Sequence, residues 1–251
     1  MKIFNSYAKT LASSVWMNTV AGRGQFKALK QRTAMVYPNS LPRDVCEELV
    51  SRIDSILEVD KHPRTWRDSL DSDMRILSFE QDIPDLIEHF DIEHKVRAIN
   101  AYLGLKTKSW LLMANRVVPK PNNLGSGGGL HRDSPFSHQL KCIWYLSDVT
   151  AVTGPFCYLP GSHLNILERR ATYPLGEMRF DEVQDDLVEV RAEAGSLLVC
   201  DTKCIHGGKP IEKGKRYAVT LYTFIRSGGK EAIYRKSGLD PRFSERSDLV
   251  I

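Results

Sequence analysis

Ser109-Trp110-Leu111-Leu112-Met113-Ala114-Asn115-Arg116-Val117-Val118 divides the chain. This apolar run, bounded by polar residues, reads as a strand. Upstream of it, apolar residues repeat at helical spacing. Val45, Leu49, Ile53 and Ile56 give one buried helix face. That helix should begin near Asn39-Ser40-Leu41-Pro42, with the polar residues as caps and Pro42 at a tolerated early position. Ile92, Val96, Ile99 and Leu103 predict a second helix, ended by Gly104 in the left-handed conformation. Downstream, Leu140 to Leu146, Phe156 to Leu159, Leu187 to Ala192, Ser196 to Cys200 and Tyr217 to Ile225 read as strands, with Gly, Pro, Asn and Asp between them. Helices first and many short strands afterwards predict a mainly β fold, with a helical layer packed on a double-sheet jelly roll.

The 251 residues suffice for one large β-rich domain, and the expectation is a single domain over residues 1–251. Within it, residues 1–105 hold an N-terminal arm, helices and first strands, 106–226 the jelly-roll core, and 227–251 a C-terminal tail. The first thirty or so residues, including Gly22-Arg23-Gly24, read as a loosely docked amphipathic arm. Glu168 to Asp186, with mixed charge and few strand features, reads as a flexible loop over one mouth of the barrel.

Hydrophobic content of 42% and charged content of 26% are those of a soluble globular protein. No apolar run is long enough for a membrane span. Val15-Trp16-Met17 is too short and too interrupted for a signal peptide, so a cytoplasmic location is expected. The five cysteines, odd in number and set in apolar runs, are expected to be reduced and buried. A net charge of +4 falls far short of a nucleic-acid-binding stripe and is compatible with an anionic small substrate.

The chemistry centres on Leu130-His131-Arg132-Asp133. Residues two apart at a strand end share a face, so His131 and Asp133 point the same way. The preceding Gly125-Ser126-Gly127-Gly128-Gly129 gives the backbone freedom to approach them closely. His206 follows the strand Ser196 to Asp201 and offers a second imidazole. Two imidazoles and one carboxylate are the ligand set of an iron facial triad with three open positions. Ten residues further on, Arg216 is a permanent cation suited to a carboxylate. Taken singly, each residue has a plain reading: Asp133 a turn cap, Arg216 a solvated turn residue after Lys213-Gly214-Lys215, the histidines surface or core residues. Cys200, Cys204 and His206 suggest zinc, but structural zinc needs a second ligand pair that is not present. Catalytic zinc on His131, Asp133 and His206 stays open, because imidazole suits both metals.

The ordered set His131-Arg132-Asp133, Cys142-Ile143-Trp144-Tyr145-Leu146-Ser147-Asp148, Gly154-Pro155-Phe156-Cys157-Tyr158-Leu159-Pro160-Gly161-Ser162-His163, His206-Gly207-Gly208 and Gly214-Lys215-Arg216 resembles the phytanoyl-CoA dioxygenase family of iron(II), 2-oxoglutarate-dependent oxygenases. The resemblance runs from about Asn115 to Phe224. It implies a double-stranded β-helix of cupin-like type, with His131, Asp133 and His206 as iron ligands and Arg216 on the distal carboxylate of 2-oxoglutarate. It places Trp144 on the cosubstrate pocket, although Trp144 reads equally as a core aromatic. Asn115 is a further cosubstrate candidate, and His163 a residue bonding within its loop. Many relatives carry a hydroxyl residue two positions after the arginine, where this chain has Ala218. A second anchor must then come from Thr220, Tyr222 or Asn115.

The activity so implied is hydroxylation of a small molecule with iron(II), 2-oxoglutarate and dioxygen, releasing succinate and carbon dioxide, with ascorbate helpful. Asp133 argues against halogenation, which in this family accompanies loss of the carboxylate. The alternatives are a non-catalytic cupin-like binding protein and a zinc-dependent isomerase. Substrate choice is assigned to Met1 to Lys30, Ser134 to His138 and Glu168 to Asp186. Arg132, Arg169, Arg170, Arg226 and Lys203 are read as solvated cations or as partners for an anionic group. The ending Asp248-Leu249-Val250-Ile251 is not a peroxisomal address, so a peroxisomal fatty acyl-CoA enzyme is not expected.

Overall fold

The computed structural model describes residues 24–133, 140–164 and 186–244, together with Ala12, Ser13, Val15, Trp16 and Thr19. In chain order the elements are α1 (Lys27–Arg32), β1 (Ala34–Tyr37), α2 (Arg43–Glu58), β2 (Thr65–Arg67), β3 (Asp73–Leu77), α3 (Ile92–Leu103) and β4 (Ser109–Val117). There follow β5 (Leu140–Tyr145), β6 (Phe156–Tyr158), β7 (Val188–Val190), β8 (Leu197–Asp201), β9 (His206–Gly208), β10 (Arg216–Phe224) and α4 (Gly229–Lys236).

The strands form two antiparallel sheets, one of seven strands in the order β1-β8-β5-β10-β4-β3-β2 and one of three in the order β7-β6-β9. β10 lies between β4 and β5, with Val219 opposite Ala114 on one side and Trp144 on the other. This is the double-stranded β-helix, with α1, α2 and α3 on the outer face of the larger sheet and α4 against its cavity-side residues Met113, Tyr222 and Phe224. Side chains alternate strictly along β10. Tyr217, Val219 and Leu221 pack under the helices, whereas Arg216, Ala218, Thr220, Tyr222 and Phe224 line an internal cavity. The same parity sends Met74, Ile76, Leu112 and Ala114 to the helical side and Asp73, Arg75, Met113 and Asn115 to the cavity.

The helical layer is held by α2 and α3, which bury Val45, Cys46, Leu49, Ile53 and Leu57, and Ile92, Val96, Ile99, Tyr102 and Leu103. Each fully buried leucine or isoleucine contributes roughly 1.5–3 kcal/mol. α3 ends at Gly104 with φ +63°, as expected. The start of α2 differs from expectation: Pro42 is the capping position and no side chain caps the helix. Asn39 instead adopts φ +55° in the preceding turn, and the Ser40 hydroxyl donates to the Tyr37 carbonyl, so neither reaches the first helical turn.

The N-terminal arm is fastened where it is described. The Ser13 hydroxyl donates to the Leu103 carbonyl at 2.6 Å, and the Trp16 indole N–H to Ala101 at 3.0 Å. The Trp16 ring occupies the space a Cβ on Gly104 would need. The expected loop over 168–186 lies outside the described residues except for Asp186, as does the segment 134–138. All five cysteines are free and buried. No helix among the described residues is long and apolar enough to cross a membrane.

Candidate metal centre

His131 and His206 come together through their backbones. Each N–H donates to the other's carbonyl at 2.8 Å, forming an isolated antiparallel bridge beside β9. The Asp133 N–H donates to the Thr202 carbonyl, which holds the third residue against the end of β8. Arg132, between the two, points away from the site and donates to the Ser162 and Lys203 carbonyls at 2.7 and 2.6 Å. It is buried, as is Lys203, which pairs with Asp201 at 3.0 Å. Both cations therefore hold loops together, and neither is a solvated surface residue.

The glycine-rich approach has a steric cause. Gly127 has φ +95°, and a Cβ there would stand 2.5 Å from His131 Cε1. Gly125, at φ +75°, is pressed against the Gly208 carbonyl, where a Cβ cannot fit. Only glycine allows this loop to lie on the imidazole and on β9.

The donor atoms of His131, Asp133 and His206 all lie within 4.8 Å of one another. His131 Nδ1 is 2.9 Å from the Gly129 carbonyl, and His206 Nδ1 is 3.0 Å from the Cys204 carbonyl. A carbonyl only accepts, so each Nδ1 carries the proton and each Nε2 turns its lone pair toward Asp133. His206 Nε2 is buried and has no hydrogen-bond partner. Burial first, and His131 second, push the His206 pKa down to about 3. Burial likewise lowers that of His131, against the pull of Asp133. Two neutral imidazoles, one of them with a buried Nε2 that has no hydrogen-bond partner, and a buried carboxylate fit a divalent first-row metal. Cys200 and Cys204, 3.9 Å apart at sulfur, join no such cluster among the described residues.

The triad opens into a cavity of about 930 Å³ lined by both sheets. Arg216 reaches it from β10; one guanidinium nitrogen donates to the Gly154 carbonyl, while Nε is buried without a hydrogen-bond partner. Among the described residues Arg216 makes no ion pair. Asn115 also lines the cavity, with its amide nitrogen 3.5 Å from both Asp73 Oδ1 and Ser126 Oγ. Thr220 and Tyr222 lie on the same wall, beyond Ala218 from Arg216.

Trp144 is not on that wall. It packs edge to face on Phe90, ring centroids 5.0 Å apart, within the helical-side core. Its strand neighbours Ile143 and Tyr145 have the opposite parity and face the cavity. Several cavity residues were not singled out in the sequence: Lys141, Tyr145, Phe156, and the pair Asp73 and Arg75, joined at 2.5 Å. Phe156 stacks on the His206 ring with centroids 5.4 Å apart. A lysine inside the apolar run Leu140–Tyr145, and an Asp-x-Arg pair in β3, were the available signals.

A family model described as phytanoyl-CoA dioxygenase (PhyH) matches residues 31–216. A phytanoyl-CoA dioxygenase from Arabidopsis thaliana is 26% identical over 162 residues, 60% of this chain and 56% of that protein. The match thus spans just over half the length of that relative. Among solved structures, HygX from Streptomyces hygroscopicus, with nickel and 2-oxoglutarate bound, is similar over 80% of this chain and 86% of its own, with 17% identity and a TM-score of 0.56. SnoN, a non-heme α-ketoglutarate-dependent epimerase from nogalamycin biosynthesis, is similar over 84% of this chain and 83% of its own, with 16% identity and a TM-score of 0.59. At these identities the likeness is one of fold.

Proposed function

This chain belongs to the phytanoyl-CoA dioxygenase family, and from that premise we propose that it hydroxylates a small molecule in an iron(II)- and 2-oxoglutarate-dependent reaction. The observation that carries this is the convergence of His131, Asp133 and His206 within 4.8 Å in a cavity that also presents the buried cation Arg216. In this reading the three residues hold iron(II). Arg216 binds the distal carboxylate of 2-oxoglutarate through charge-assisted hydrogen bonds. Thr220, Tyr222 and Asn115 are the polar groups left to serve where Ala218 offers none.

When bound, the iron supplies the activation of dioxygen that couples oxidative decarboxylation of 2-oxoglutarate to oxygen insertion into a substrate C–H bond. The chain supplies orientation and shelter. The Gly129 and Cys204 carbonyls fix the tautomer and tilt of the two imidazoles. Phe156, Ile143 and Met113 line the cavity with apolar surface and keep water from the reacting position. Asp73 anchors Arg75 and Ser126 and so stiffens the wall beside Arg216.

The substrate in this reading is a small molecule with an anionic group. The described lining carries five cations, Arg75, Lys141, Arg216, Arg226 and Lys236, against the three carboxylates of Asp68, Asp73 and Asp133. Five free cysteines accord with a reducing cytoplasm. In this reading residues 1–251 form one domain, because β1, β2 and β3 share the large sheet with the later strands.

The test is direct. Purified protein with iron(II), ascorbate, 2-oxoglutarate and a panel of small anionic substrates should release succinate and yield a product heavier by one oxygen atom. A product of unchanged mass would replace hydroxylation by epimerisation, and one lighter by two hydrogen atoms would replace it by ring closure or desaturation. A metal-loaded protein that binds no 2-oxoglutarate would overturn the reading altogether.

A further inference from the structure

Lys141 occupies the second position of β5, a strand buried at every residue. Strand parity turns it onto the cavity face with Ile143 and Tyr145. A lysine this deep is kept only with a partner. Its ammonium lies 2.6 Å from Asp133 Oδ2, with the side chains 9% and 6% exposed. It also stands 5.0 Å from the centroid of the Tyr222 ring. The backbone sets this meeting: Lys141 is registered against Cys200 in β8, and Asp133 is held by Thr202 just beyond the same strand.

A carboxylate can offer a metal one oxygen or two. In Asp133, Oδ1 is 4.0 Å from His131 Nε2 and Oδ2 is 3.7 Å from His206 Nε2, so either oxygen faces the space between the imidazoles. Lys141 engages one of them. We propose that Lys141 is a positioning residue that ties up Asp133 Oδ2, restricts the carboxylate to coordination through Oδ1, and thereby keeps a third position of the metal open. The inference rests on the assignment of the metal to His131, Asp133 and His206. Its physical basis is competition: the charge of an ammonium in ion-pair contact with Oδ2 holds the oxygen that would otherwise close a chelate ring. On a six-coordinate ion, two imidazoles and one carboxylate oxygen leave three places, enough for a bidentate cosubstrate and one more ligand. A chelating carboxylate would leave two.

Mn(II) reports this count without turnover, through its effect on water-proton relaxation per bound ion. Lys141→Met keeps the length of the stem and removes the charge. In the absence of 2-oxoglutarate the variant should show relaxation lower by about one third, as open positions fall from three to two. Lys141→Arg should restore the wild-type value. A lysine that only supports packing would alter the melting temperature and leave relaxation per ion unchanged, and that result in Lys141→Met overturns the inference. The unmodified protein gives a second measurement if the variants fail to fold. Infrared difference spectra with and without Mn(II) should show the wide separation of carboxylate stretches that marks one-oxygen coordination; a narrow separation overturns the inference. His131→Ala separates the two levels. Undiminished Mn(II) binding by that variant would remove the metal assignment and this inference together. Lost Mn(II) binding in His131→Ala, beside unchanged relaxation in Lys141→Met, would remove this inference alone.

Discussion

His131 and His206 are joined by two backbone hydrogen bonds of 2.8 Å, each residue donating its N–H to the other's carbonyl. The pairing of these two residues is therefore a property of the main chain, and it survives replacement of either side chain. His131→Ala and Asp133→Ala should lose metal binding and more than about 100-fold of activity, beyond the 10–100-fold typical of outer-shell changes. Their circular dichroism spectra should remain those of the folded protein. A variant that retains turnover would show that the metal is bound by other residues.

Arg216 is buried, donates to the Gly154 carbonyl, and has Nε without a partner. Hydrogen bonds to charged groups contribute about 1.5–3 kcal/mol. Arg216→Gln should accordingly raise the KM for 2-oxoglutarate by roughly 10- to 100-fold, with a smaller effect on kcat at saturation. Arg216→Lys should recover only part of the loss, since a point charge does not reproduce the guanidinium fork.

Gly127 and Gly128 offer a paired test of the loop over His131. Both have positive φ, at +95° and +75°, so alanine at either position strains the backbone by about 1–2 kcal/mol. Only at Gly127 does the new Cβ also meet the His131 ring, at 2.5 Å; at Gly128 nothing lies within 4 Å. Calorimetric titration with Mn(II) should show at least tenfold weaker binding for Gly127→Ala, with Gly128→Ala close to wild type. Equal affinities would mean that the loop yields without moving the ligand.

Trp144→Ala should cost about 3–5 kcal/mol of stability, the range for large aromatic truncations in a core. The KM for 2-oxoglutarate should stay unchanged in the folded fraction, because Trp144 packs on Phe90 away from the cavity. Urea unfolding and steady-state kinetics on the same preparation decide between the two faces of β5.

In the metal-free protein the His206 pKa falls from 6.5 to about 3, chiefly through burial. The sign follows from proton uptake. As pH drops below 6.5, the unfolded chain takes up a proton that the folded one refuses until pH approaches 3, so stability is full above the unfolded pKa and declines below it. At about 1.4 kcal/mol per pH unit, the loss between pH 6.5 and pH 5 approaches roughly 2 kcal/mol for this group. Urea titrations of wild type and His206→Gln should differ in slope over that interval, and identical slopes would place the titration of His206 near its ordinary value.

Much of the site is legible in the sequence. The long strands β4, β5 and β10 stand out as apolar runs, and His131, Asp133 and His206 are spaced by strand ends that the sequence marks with glycines. Less legible was which way each residue points. β5 and β10 are buried on both faces, so alternation of polarity does not declare the inner one. For that reason Trp144 reads equally as a pocket or a core residue, although Tyr145 and Lys141 are the ones turned inward. β2 and β3, expected only as first strands somewhere within 1–105, have no legible bounds because they are short and because Asp73 and Arg75 place charge on an interior face. The start of α2 is not legible at Asn39 and Ser40, since the turn before the helix uses both of them itself.

β10, the last strand among the described residues, is also the one that β4 and β5 share. During synthesis of the chain on the ribosome, β4 and β5 therefore emerge without the partner that stands between them. They must wait, edges unpaired, until Arg216–Phe224 has been made. Closure of the sheet is thus a late, non-local event, slow by the ordinary dependence of folding rate on sequence separation. Arg216 enters the cavity in the same step that completes the barrel, so a nascent chain has no cosubstrate site until its fold is closed.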